Sequence, residues 1–313
     1  MCGIVGYTGR QQAAPILLKG LAKLEYRGYD SAGVAVFDGS EIEVVKAKGR
    51  LDALRDLTND GKNLTGVQGI GHTRWATHGE PSVSNAHPQY NHDKSIAVVH
   101  NGIIENYQQL KDKLAGKGYQ FTSQTDTEVV AHLLDYYNTG NPLETIAKVM
   151  HRVKGSYALG IMFQSKPGVL YAVRKDSPLI VGVSETGNYI ASDVPAILEY
   201  TRDVYYIENQ ELVELTEQGV RFFNEDLEEI SKERKTVEWD VEAAEKGGYE
   251  HFMLKEIYEQ PKAVLDTISP RIKDDKIVIE ELNMTPEDIQ AISRIYIIGC
   301  GSAYHVGMVG TYV

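Results

Sequence analysis

The chain has 313 residues, enough to bury a substantial core in one large domain or two ordinary ones. Its net charge of −12, with 32 Lys and Arg scattered among 44 Asp and Glu and no basic stripe, excludes the electrostatic footprint of a nucleic-acid binder. No apolar run reaches the roughly 20 residues that span a bilayer. No signal-peptide pattern opens the chain, and two cysteines at its opposite ends, Cys2 and Cys300, make no disulfide framework, so a reducing cytoplasm is the expected compartment.

The first segment reads Met1-Cys2-Gly3-Ile4-Val5-Gly6. Once Met1 is removed, one residue owns both a thiol of ordinary pKa about 8.5 and an α-amine of about 7.7 to 8.0, hence a nucleophile and its base. The plainer alternative is a small hydrophobe at the start of a strand. Ala32 to Phe37 and Glu41 to Lys48 flank Asp38-Gly39-Ser40 and predict a hairpin. Gly71-His72-Thr73-Arg74-Trp75-Ala76-Thr77-His78-Gly79 then reads as a glycine-bounded loop after a strand. It is either a surface turn or a binding loop that offers a guanidinium to a carboxylate beside an aromatic wall. Histidines 72, 78, 87, 92 and 100 match no zinc spacing, so no metal is expected.

Ser95 to His100 is an apolar strand running into Asn101-Gly102, a pair that makes either a common turn or two donors of an oxyanion hole. Asn106 to Gly116 and Asp126 to Tyr137 carry apolar residues at helical spacing, with Val129, Val130, Leu133, Leu134 and Tyr137 on one face. Thr125-Asp126-Thr127-Glu128 marks the start of the second helix, where Asp126 is a cap or a ligand. Gly155 to Phe163 and Val169 to Arg174 form a second antiparallel pair. Paired strands and few helices in this order predict an α+β layered sandwich rather than repeated βαβ units. From Asn224 a charged stretch predicts an exposed connector. His251 to Leu265 predicts a helix kinked or interrupted at Pro261. Arg294 to Ile298 predicts a strand feeding Gly299-Cys300-Gly301-Ser302 and a helix from Ala303, the arrangement in which free backbone amides bind phosphate.

Five segments stand together in the order seen in class II glutamine amidotransferases: the Cys2 start, Glu25 through Gly33, His72 through Gly79, His100 through Asn106, and Thr125 through Glu128. With Lys255-Glu256-Ile257-Tyr258-Glu259-Gln260-Pro261 and the glycine turn beyond it, the whole chain resembles the amino-terminal half of the glutamine:fructose-6-phosphate aminotransferase family. The resemblance implies an N-terminal nucleophile hydrolase fold, a four-layer αββα sandwich, over residues 2–224. It further implies a linker over 225–250 and the incomplete start of an α/β sugar isomerase domain over 251–313. Cys2 would attack the side-chain amide of L-glutamine, with Asn101 and the N–H of Gly102 holding the oxyanion. Arg74 would pair with the substrate carboxylate and Asp126 with its ammonium. Thr77 and His78 would form the pocket wall, Trp75 a closing loop, and Arg27 a support near the nucleophile. Gly301 and Ser302 would contact the sugar phosphate, although Ala303 departs from the hydroxyl residue of some relatives. No cofactor is implied, and fructose 6-phosphate and a homodimer belong to the full-length enzyme. Two alternatives stay open: the glutaminase half of another class II amidotransferase, and a non-catalytic glutamine-binding module that keeps Met1.

Overall fold

Ile4 and Val5 are neighbours in one strand, yet they enter different apolar clusters, because successive side chains of a strand face opposite ways. That alternation, repeated along each strand, separates the layers of the computed structural model. The structure describes residues 2–76, 78–238, 248–273, 276–279 and 282–312, with the side chains of Arg27 and Phe252 outside that description.

The strands of the first unit, Met1–Glu245, begin with β1 (Gly3–Gly9), β2 (Ser31–Phe37), β3 (Ile42–Lys48), β4 (Gln68–Arg74), β5 (Gln89–Tyr90), β6 (Ile96–Ile104), β7 (Gly155–Phe163) and β8 (Leu170–Lys175). They continue with β9 (Ile180–Ser184), β10 (Gly187–Ala191), β11 (Asp203–Tyr206), β12 (Leu212–Leu215), β13 (Val220–Phe223), β14 (Glu229–Ile230) and β15 (Lys235–Thr236). An eight-stranded sheet runs in the order β15-β11-β9-β10-β1-β4-β2-β3, and a seven-stranded sheet in the order β14-β13-β12-β8-β7-β6-β5. In the first, β1 is antiparallel to both β10 and β4. The predicted hairpin is β2 and β3, closed by Asp38 Oδ1, which accepts from the N–H groups of Ser40 and Glu41.

Helices α1 (Ala13–Leu24) and α2 (Leu51–Thr58) cover one sheet, burying Leu17, Leu21 and Leu54 against Val5, Val34 and Val36. Helices α3 (Tyr107–Ala115), α4 (Asp126–Tyr136) and α5 (Pro142–Met150) cover the other, burying Val129, Val130, Leu133 and Ile146 against Val98 and Ile161. Between the sheets, Ile4, Ile70, Val99, Ala158 and Met162 form the third cluster. Each fully buried side chain of Val or Ile size contributes about 1.5 to 3 kcal/mol relative to exposure. The result is the αββα sandwich that the resemblance implies.

Three stretches differ from expectation. Residues 225–250, expected as a linker, supply β14 to one sheet through pairing with β13 and β15 to the other through pairing with β11. Within those edge strands Glu229 and Lys235 are exposed, and charge on an edge is a common way to keep it soluble. Gly71 to Arg74 belong to β4 rather than to a loop, and all four are buried. Arg294 to Ile298 forms no strand, and Ile298 is 97% exposed. A strand needs a hydrogen-bonded neighbour, and among the described residues this run has none.

The second unit, Lys246–Val313, holds α6 (Phe252–Ile268), which continues through Pro261, then a two-residue pair β16 (Ile272–Lys273) and β17 (Lys276–Ile277). Helix α7 (Pro286–Gln290) has a reciprocal cap between Thr285 and Asp288, and α8 (Gly301–Val309) starts at Gly301 rather than Ala303. Among the described residues no helix is long and apolar enough to cross a membrane.

Helix α4 matters most for position, since its first residue is Asp126. Thr125 Oγ1 accepts from the Glu128 N–H at 3.3 Å, and the two acids of the first turn face the positive end of the helix dipole. Glu128 Oε1 accepts from Thr122 N–H at 2.7 Å and Oε2 from Ser123 N–H at 2.7 Å, so the preceding loop is pinned to the helix. Burial pushes the Glu128 carboxyl up, but the His132 ring 3.7 Å away and the hydrogen bonds from Thr122 and Ser123 outweigh burial and lower the pKa from 4.5 to about 2. The stabilisation from this carboxylate is therefore fully present above pH 4.5 and lost as pH falls towards 2. Glu128→Gln should lower unfolding free energy by about 2 kcal/mol near neutral pH, through lost charge-assisted bonds. The gap in thermal midpoint between the two proteins should hold from pH 6 to about pH 4.5 and shrink from there towards pH 2; a constant gap throughout would refute the carboxylate's role.

Candidate active site

The site lies where the ends of β1 and β4 meet the middle of β6. Cys2, Arg74, Trp75, Asn101, Gly102 and Asp126 line one cavity of about 350 Å³, a volume suited to a small polar molecule. Cys2 immediately precedes β1. Its Sγ accepts the Trp75 N–H at 3.2 Å and lies 3.5 Å from the Trp75 carbonyl, to which the S–H donates. Burial pushes the Cys2 thiol above its ordinary value, against the Trp75 N–H and the Arg74 charge, which pull it down.

Arg74 ends β4 and is 3% exposed. Its Nη2 donates to the carbonyls of His78 and, at 3.1 Å, Gly79, while Nη1 stands 3.9 Å from Asp30 Oδ1. Nη1 is buried and has no hydrogen-bond acceptor among the described residues. A buried guanidinium nitrogen without an acceptor is costly, and an incoming carboxylate is the group that relieves it. Asp30 also accepts from the Ala76 N–H, and its own N–H donates to the Arg74 carbonyl at 2.8 Å, so it fixes both sides of the turn after β4.

Asp126 supplies the opposite charge. It is 4% exposed, its Oδ2 accepts from the Ile104 N–H at 2.8 Å, and it sits at the N-terminus of α4. One face of the cavity therefore presents a cation and another a carboxylate, the complement of an α-amino acid zwitterion. Asn101 Nδ2 donates to the Cys2 carbonyl at 3.1 Å, which places a side-chain donor beside the thiol's own residue. Gly102 follows at φ 128°, where a Cβ would stand 2.1 Å from the Ser156 carbonyl oxygen, so no other residue fits.

Trp75 is 56% exposed at the rim, its ring so close to Gly28 that a Cβ there would lie 2.6 Å from Cε3. His78 gives its carbonyl to Arg74, but its ring meets Tyr107 edge-on at 5.0 Å and does not line the cavity. Thr77 and the Arg27 side chain lie outside the described residues. Gly301 and Ser302 open α8 in the second unit, and both are exposed. Thr125, Ser156, Ser177 and Pro178 also line the cavity without having been singled out from sequence. Only Thr125, through its capping pattern, carried a local signal.

His72, His87 and His100 form a buried group. The rings of His72 and His87 lie 4.3 Å apart and those of His87 and His100 6.5 Å apart. Burial is the main cause that lowers all three, His72 to about 3. Among the described residues no group of three or more His, Cys, Asp or Glu is arranged to hold a metal ion.

Residues 72–199 match the glutamine amidotransferase domain family. The whole chain aligns at 58% identity with a glutamine–fructose-6-phosphate aminotransferase (isomerizing) of Clostridium acetobutylicum, covering 52% of it. It aligns at 46% with the enzyme of that name from Aquifex aeolicus, covering 51%. The chain thus spans about half the length of these relatives. Among solved structures, a glutamine phosphoribosylpyrophosphate amidotransferase from B. subtilis superimposes with a TM-score of 0.63 at 26% identity, over 73% of this chain and 50% of that one.

Gly102→Ala should destabilise the first unit by about 3 kcal/mol, since left-handed backbone strain and a clash with main chain combine. Urea denaturation measures this, and an unchanged midpoint would mean that β6 can relax around a methyl group.

Proposed function

We propose that this chain, whose residues 72–199 match the glutamine amidotransferase domain family, releases ammonia from the side-chain amide of L-glutamine through a thioester on Cys2. The observation that carries the proposal is the convergence in one cavity of a thiol, an amide donor, a buried cation with a vacant donor and a buried carboxylate.

Removal of Met1 frees the α-amine of Cys2, which takes the thiol proton as sulfur attacks the amide carbon. The carbonyl oxygen becomes an oxyanion between Asn101 Nδ2 and the Gly102 N–H, donors of the kind that lower the barrier by about 3 to 4 kcal/mol each. The amine's proton passes to the departing nitrogen, ammonia leaves and a thioester remains. Water, deprotonated by the same amine, attacks the thioester and releases glutamate, returning the thiol. Arg74 holds the α-carboxylate and Asp126 the α-ammonium, so the amide is presented to sulfur at a fixed distance. The exposed ring of Trp75 at the rim suits a cover over bound glutamine; the family resemblance gives Thr77 to the wall and Arg27 to the support of the nucleophile, whereas the expected wall role of His78 is not met, since its ring packs on Tyr107.

For the longer protein, we infer that the ammonia aminates fructose 6-phosphate, in a cytoplasmic homodimer, with Gly301 and Ser302 contributing to the sugar-phosphate site. Relatives named for that reaction align along the whole chain at 46 to 58% identity, well above the 26% of the phosphoribosylpyrophosphate enzyme. This favours the sugar-phosphate reading over the other amidotransferases.

Intact mass before and after exposure to a diazoketone analogue of glutamine tests the proposal directly. Loss of Met1 and one adduct, placed on Cys2 by peptide mapping, is expected; processed protein that takes no adduct would refute the thiol's role. Cys2→Ala should abolish glutamine hydrolysis. Asn101→Ala should lower kcat by about 10²- to 10³-fold with little change in KM, whereas Arg74→Ala should chiefly raise KM. A loss on kcat alone for Arg74→Ala would remove its carboxylate role.

A further inference from the structure

We propose that His72 is a positioning residue for this reaction: its Nε2–H selects the orientation of the Asn101 carboxamide that turns Nδ2 towards the nucleophile. The inference rests on the oxyanion role given to Asn101 above.

His72 lies in β4, opposite Ile4 of β1 and Gly33 of β2, and is fully buried. Its Nε2 is 3.0 Å from the His100 carbonyl oxygen and 2.9 Å from Asn101 Oδ1. A backbone carbonyl only accepts, so the ring nitrogen that meets it carries the hydrogen. The neutral ring has one N–H, which leaves Nδ1 bare, and His72 Nδ1 has no hydrogen-bond partner among the described residues. Burial, opposed by the two bonds at Nε2, lowers His72 to about 3, so this neutral tautomer holds at any working pH.

The consequence falls on Asn101. A carboxamide has an accepting end and a donating end of nearly equal size, and packing alone distinguishes them poorly. The His72 N–H distinguishes them by charge. With Oδ1 drawn to His72, Nδ2 is left facing Cys2, whose carbonyl it reaches at 3.1 Å. A half-turn of the amide would set its NH2 against the His72 N–H and present Oδ1, an acceptor, to the oxyanion. Because the same N–H also holds the His100 carbonyl, the amide is tied to the backbone of the residue just before it. The His87 ring, 4.3 Å from that of His72 and tilted by 40°, packs against the imidazole that makes both bonds.

His72→Gln and His72→Asn separate this role from plain burial, since Gln places an amide nitrogen near the former Nε2 and Asn stops one methylene short. With Met1-processed protein, His72→Asn should lower kcat for glutamine hydrolysis about 10²-fold, the loss associated with an oxyanion donor, with KM within about threefold. His72→Gln should recover most of that loss, and both variants should still take one diazoketone adduct on Cys2. In the Asn101→Ala background, His72→Asn should cost nothing further, because two residues acting through one interaction are not additive. Equal kcat values for the Gln and Asn variants, a full additional loss in the Asn101→Ala background, or loss of the adduct in His72→Asn would each overturn the inference. If Asn101→Ala itself keeps its kcat, the oxyanion reading fails and takes this one with it. If Asn101→Ala is slow and His72→Asn is not, the failure belongs to His72 alone.

Discussion

The site depends on one cross-sheet tie. Asn101 belongs to the seven-stranded sheet, and its carboxamide spends both ends on the eight-stranded side, Nδ2 on the Cys2 carbonyl and Oδ1 on His72. The apolar layer between the sheets, with Ile4, Ile70 and Val99, fixes their separation but not the angle at which any polar group points, because dispersion and hydrophobic burial are non-directional. Hydrogen bonds supply the angle. In a layer this dry, an amide with either end unsatisfied would be costly, so the tie is enforced by the same burial that surrounds it.

Charge in the cavity follows the same logic of partial satisfaction. His72, His87 and His100 are driven neutral by burial, which leaves Arg74 and the carboxylates of Asp30 and Asp126 to set the field. Arg74 is held by two carbonyls and by Asp30 at one remove, and Asp126 by a backbone N–H and a helix N-terminus. Neither set exhausts its residue. A guanidinium has five donors and a carboxylate about four acceptor sites, so each keeps capacity for a ligand group without having to move. Fixed, half-used charges of opposite sign are what orient a zwitterion.

The layered α+β architecture was legible because its signals are periodic: the Ala32–Phe37 and Glu41–Lys48 hairpin, and the face of α4 carrying Val129, Val130, Leu133 and Leu134. Within the site, Cys2, Arg74, Asn101, Gly102 and Asp126 were legible only as segments in order, since each alone fits a strand start, a turn or a cap. The structure brings all five into one cavity, whereas the His78 ring turns instead to Tyr107. His72 and His87 were weighed only as metal ligands, because a buried orienting histidine leaves no spacing signature. What defines His72 is a partner 29 residues away on the opposite sheet. The run at Ile295 to Ile298 failed for the converse reason. Its composition is that of a strand, but strand formation is a property of two segments, and composition reports on one.

The thiol itself gives the arrangement its logic. Burial raises its pKa, so at neutral pH it rests as the protonated form and is not a standing nucleophile. A nearby side-chain base would have to enter the same buried layer, where burial lowers the pKa of the available imidazoles and so makes them weak bases, already engaged by bonds or packing. An α-amine on the nucleophile's own residue avoids that problem, since it brings a base of near-neutral pKa without adding a side chain to the core. While Met1 remains, that nitrogen is an amide, which cannot accept the proton. The pocket, the donors and the charges can all be in place and the thiol still lack its base. On the proposed mechanism, folding builds the binding half of the site, and removal of Met1 supplies the half that moves protons.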